Sequence, residues 1–187
     1  GLASMTIGIL VLVAGLDPGA NAGIVAVPML LMGLGLGALA SQLGAVTVSA
    51  VPDSQSAEVG GLQNTATNLG ASLGTALIGS VLIATLSATI VAGIQSNPDV
   101  PAATKEQAST ELASGVPFLS DSQLRVALNE ASVSESTAQE IVDLNADARL
   151  EALRVALALA ALLGLTALFF TGNIPRQAPA AQVPENP

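Results

Sequence analysis

The sequence predicts an all-α membrane protein, with four transmembrane helices and a small helical insert outside the bilayer. Three observations carry this. Hydrophobic residues are 51% of the 187 and charged residues only 10%, against about 25% in soluble domains. Mean hydropathy is +0.66. The charges are also gathered in one place. Residues 95–151 hold ten of the fourteen acidic and three of the five basic side chains. Four apolar stretches remain nearly bare, and about 20 apolar residues at 1.5 Å rise each suffice to cross a bilayer.

The first apolar stretch, 1–16, ends at the turn signal Asp17-Pro18-Gly19. It is short for a span. With a leading Gly and no basic segment before it, the chain reads as a fragment whose N-terminal part is missing. The second stretch, 24–48, carries no charge and has Pro28 in its first turn, where a missing N–H costs little. Residues 51–61 read as a short polar connection. The third helix, 62–94, opens on Gln63, Asn64, Thr65, Thr67 and Asn68 and turns apolar from Leu69.

Residues 95–151 form the acidic insert. A short helix is expected over 101–114. Ser120 and Gln123 have capping-box spacing, and Leu124, Ala127 and Leu128 follow at helical intervals. From near Ser134 the helical pattern continues unbroken into the last apolar stretch, 152–171. This predicts one rod of about 55 Å that starts outside the bilayer, the alternative being a break near Asn145-Ala146-Asp147. Arg154 lies near a membrane end, where its side chain can snorkel to the headgroups. The tail, 172–187, is rich in Pro, Ala and Gln and reads as disordered.

Composition excludes several functions. Without Cys or His there is no thiolate, no disulfide and no imidazole for a metal or a general base. A net charge of −9 with one Lys and four Arg argues against nucleic acid. Glu140, Asp143 and Asp147 lie in a solvated helical pattern without a His or Cys partner, so they read as a hydrated face and not as an enzyme site. Neither a cofactor nor a metal is expected. Nor is any charge buried deep in the apolar stretches, where it would mark an ion path.

Two residue sets remain. Gly33 with Gly37, and Gly70 with Gly74, have the four-residue spacing that lets helices approach closely; Gly79 extends the second row. These are the expected packing residues. Ser41, Gln42, Gln63 and Asn64 put polar side chains into apolar helices. Facing lipid they would stay unsatisfied, so they should face other helices, the interface or a substrate cavity.

The run VPDSQSAEVGGLQNTATNLGASLGTALIGSVL and the preceding PMLLMGLGLGALASQLGAVTVSA resemble the C-terminal end of major facilitator superfamily drug transporters, the fourteen-helix drug:proton antiporters of multidrug efflux. The matching elements are Val51-Pro52, Gly60-Gly61, Asn64, Leu69-Gly70, Gly74-Thr75-Ala76 and Gly79-Ser80. The resemblance implies that the four helices are the last four of fourteen. It implies a long extracytoplasmic loop where the insert stands, a cytoplasmic tail, and a multi-pass place in the cell membrane, the bacterial inner membrane. Ser41 and Gln42 would meet a drug-like substrate, and Gln63 and Asn64 would line the cytoplasmic mouth. Proton coupling would belong to the missing N-terminal helices. Arg149 and Arg154 on the insert side, with only Arg176 in the tail, run mildly against this orientation by the positive-inside rule. The alternative is a small non-transport membrane scaffold that binds a partner through its acidic insert. A soluble Ala-rich bundle is weaker, since the second stretch is apolar all round.

Overall fold

The computed structural model describes residues 1–17, 23–49, 51–97, 119–130 and 135–172, together with Ala102, Lys105, Glu106 and Thr110. The described chain is helical and contains no strand. Five helices follow in order: α1 Leu2–Gly15, α2 Gly23–Ser49, α3 Ser56–Ser96, α4 Asp121–Glu130 and α5 Glu135–Thr171. Three of them, α2, α3 and α5, are long and apolar enough to cross a membrane. By length and composition this is a membrane protein. The fourth expected span, α1, is apolar but has 14 residues, about 21 Å, well short of a hydrocarbon core of about 30 Å.

Two helix starts differ from the sequence reading. α3 begins six residues earlier than expected, at Ser56, so the connection from α2 shrinks to a single 3₁₀ turn, Asp53–Gln55. The Gly60-Gly61 pair lowers helix propensity but removes no hydrogen bond, and no proline interrupts the run before Asn97-Pro98. α2 begins at Gly23, which places Pro28 in its second turn. Its missing N–H leaves the Ile24 carbonyl without that intrahelical partner. Pro28 is buried against α1.

The rod is present as expected: α5 runs 37 residues without a break. So is the cap before α4. The Ser120 backbone N–H donates to Gln123 Oε1 at 2.9 Å, and the Gln123 N–H donates to Ser120 Oγ at 3.3 Å. The helix expected over 101–114 falls mostly outside the described residues, and so does the tail after Gly172.

α1 lies between α2 and α5, and α3 packs on the other part of α5. All three contacts are antiparallel. Leu86 of α3 is fully buried with Ala148 and Ala152, flanked by Leu82 and Ile90. Val142, Asn145, Ala148, Ala152, Ala156 and Ala161 are the buried residues of α5, a stripe of mostly small side chains that lets its neighbours come close. α1 meets α5 where Thr6 sits against Gly164, and meets α2 where Gly8 sits against Pro28 and Met32.

Candidate functional site

The hairpin of α2 and α3 brings the four predicted site residues to one height. Gln42 lies seven residues before the end of α2 and Gln63 seven residues after the start of α3. Ser41 and Asn64 each lie one residue farther from the tip. In an antiparallel hairpin both pairs therefore stand about 10 Å from the turn. Ser41, Gln42 and Asn64 are exposed and Gln63 is half-buried. Their hydrogen bonds are local. Ser41 Oγ donates to the Ala38 carbonyl at 3.0 Å, and Asn68 Nδ2 donates to Asn64 Oδ1 at 3.3 Å. Thr67 Oγ1 donates to the Gln63 carbonyl at 2.9 Å. The hydroxyls of Ser41 and Thr67 thus bond to carbonyls of their own helices, and Asn64 and Asn68 pair with each other along α3. The height carries no charge: the nearest acidic residue of α3, Glu58, lies five residues before Gln63.

Within this chain the expected packing glycines meet no neighbour. A Cβ added at Gly33, Gly37, Gly70, Gly74 or Gly79 would meet nothing within 4 Å. These glycines lie on faces of α2 and α3 that α1 and α5 do not contact. Gly1 lies against Gly35 and Leu39. The close approaches are made by other glycines. A Cβ at Gly8 would fall 2.9 Å from the Pro28 carbonyl oxygen, and one at Gly35 would fall 2.7 Å from the Met5 nitrogen. At Gly93 it would meet the Leu144 side chain, and at Gly164 the Thr6 hydroxyl. Gly35 stands midway between the two glycines that the four-residue spacing selects, on a different face of the same helix.

A second polar group lies at the other end of the bundle, and the sequence reading did not assemble it. Arg149 Nη1 pairs with Asp121 Oδ1 at 2.5 Å, and the buried Asn145 donates to the Leu119 carbonyl at 3.3 Å. Arg125 donates to Gln139 Oε1 at 2.5 Å, and Gln139 Nε2 donates to Asp143 Oδ1 at 2.7 Å. Together these hold α4 along the first turns of α5. Arg154 donates to the Leu16 carbonyl at 2.5 Å, so it caps the C-terminal end of α1 instead of extending only toward headgroups. The Lys105 ammonium donates to the Gln95 carbonyl at 2.8 Å and the Gln95 amide donates to the Lys105 carbonyl at 3.0 Å, tying the insert to the end of α3. Two shallow clefts lie here. One, of about 200 Å³, is lined by Asp17, Asp147, Arg149 and Leu150 among others; the other, of about 260 Å³, by Arg125, Asn129, Glu135 and Ala138. Among the described residues no group of three or more acidic side chains is placed to hold a metal ion.

No protein family, curated relative or solved structure matches this chain.

Proposed function

We propose that the chain is the C-terminal portion of a proton-driven efflux permease of the major facilitator type, in the cell membrane. The ring of Ser41, Gln42, Gln63 and Asn64 carries the reading. Four uncharged polar side chains stand at one height on an uncovered hairpin, with Thr65, Thr67 and Asn68 beside them and an apolar, glycine-rich run farther from the tip. In a low-dielectric setting such groups need partners. A passage for small amphipathic molecules supplies them, with water or substrate on one side and further helices on the other. The amides bind without fixing a charge, which suits a permease of broad substrate range. Proton coupling would lie in the remaining helices of the full protein, and alternating access would rock this part against them.

The test uses the full-length permease. Gln42→Ala together with Asn64→Ala is expected to lower export of drug-like cations from energised vesicles by about tenfold, the loss of roughly 1.4 kcal/mol of substrate interaction. Unchanged export of every tested substrate would remove these residues from the passage.

A further inference from the structure

α3 changes character partway along its length. From Ala57 to Ser80, 19 of 24 residues are exposed, and Leu62, Leu69, Leu73 and Leu77 are each about half uncovered or more. From Val81 to Ile94 the only exposed residues are Ala84, Ala88 and Ala92; every Leu, Ile and Val is buried or half-buried. The same change occurs on α5. Every exposed residue within 135–154 is polar or charged, whereas large exposed hydrophobics run from Val155 to Phe170. All the charges of α5 lie at or before Arg154. The two changes fall at one level, because Leu86 packs between Ala148 and Ala152 and Gly93 meets Leu144. α1 ends at this level too, where Arg154 holds the Leu16 carbonyl.

We infer that the hydrocarbon of the bilayer begins at Val155 on α5, Val81 on α3 and Leu16 on α1, and that residues 81–96 of α3 stand in water as a stalk with the first half of α5. By composition 81–96 is as apolar as the span before it, and the sequence alone assigns it to the membrane through Ile94. Its large side chains are instead spent on the alanine stripe of α5, and its outer face is reduced to three alanines. A helix in lipid has no reason to hide its large side chains, since lipid tails are as apolar as leucine. A helix in water does. α4 and its polar ties to α5 complete the water-facing side. The inference rests on the chain being a membrane protein and not on transport.

Counting about 20 residues from this boundary brings the far side of the hydrocarbon to Leu62 on α3 and Leu43 on α2. The ring of Ser41, Gln42, Gln63 and Asn64 then stands at the opposite membrane surface.

The chain lacks cysteine, so single spin labels can be placed without background. Nitroxides at Ala84→Cys, Ala88→Cys and Ala92→Cys, with Leu69→Cys, Leu73→Cys and Leu77→Cys for comparison, are read in phosphatidylcholine vesicles for collisions with a water-soluble nickel chelate and with oxygen. The expected result is an inversion: the chelate dominates at the alanines and oxygen at the leucines. Oxygen dominating at Ala88 and Ala92 would place the stalk in lipid and overturn the inference. Silence to both reagents at the alanines would mean that protein covers them, and would overturn it equally. Chelate access at the leucines as well would overturn the membrane reading itself, which separates that failure from failure of the stalk.

Discussion

At the scale of single residues, glycine placement divides into two kinds. Gly8 and Gly35 are where helix backbones meet, and a side chain at either must displace backbone of the facing helix. Gly37 and Gly70 open onto free space in this chain. Gly35→Leu is therefore expected to destabilise the isolated chain by about 1–3 kcal/mol through overpacking between α1 and α2. Gly37→Ala should be neutral, or stabilising by up to about 1 kcal/mol through helix propensity. Thermal unfolding of both variants in detergent micelles, followed by circular dichroism, checks the contrast. Equal melting temperatures would show that α1 and α2 do not pack through Gly35. The four-residue spacing was legible in the sequence, but it selects a geometry and not a partner. What decides which glycine is used is the face of α2 that α1 takes: Gly35 lies on it, and Gly33 and Gly37 do not.

At the scale of elements, the sequence was most informative where a local hydrogen-bond pattern has a local signature. The Ser120–Gln123 cap was readable because both partners lie within one turn. The unbroken α5 was readable because no proline or glycine interrupts the run before Gly164. The start of α3 was not, because polar residues at 56–61 look like a connection whether or not they are wound. The alanine stripe of α5 was also missed. Ala148, Ala152 and Ala156 have the same four-residue spacing that drew attention to the glycines, but in an Ala-rich chain the spacing does not stand out. Two predictions belong here. Ser120→Ala should cost about 1 kcal/mol of α4 stability, seen as faster amide exchange over the first turn of α4. Ala152→Leu should force α3 and α5 apart, lowering stability by about 1–3 kcal/mol and detaching Leu86 from its pocket. Preserved stability in that variant would mean that the stalk tolerates a wider separation than its buried alanines imply.

At the scale of the whole molecule, the distribution of apolar surface sets what the chain can do alone. The apolar windows of α2, α3 and α5 are 11%, 6% and 11% buried within the chain. In water that much exposed leucine and valine would drive aggregation, since the largest apolar patch of a soluble monomer is typically about 300–600 Å². Lipid covers the large side chains at little cost, and water at the membrane surface reaches the amides at Gln42, Gln63 and Asn64, but lipid does not require rows of glycine. In the proposed permease those rows would receive further helices. The isolated chain should therefore insert into liposomes as helix and yet fail to export a drug-like cation in response to a proton gradient. Flow-oriented circular dichroism would show helices lying near the membrane normal, and a fluorescent-substrate assay across an imposed pH gradient would show no flux above empty liposomes. On the permease reading, adding the helices of the full-length protein restores flux and buries the ring, so that a fluorophore at Asn64→Cys shifts to shorter wavelength. Proton-coupled flux by the isolated chain would mean that it closes its own passage, by self-association through the uncovered hairpin, and that the missing helices are not needed for coupling.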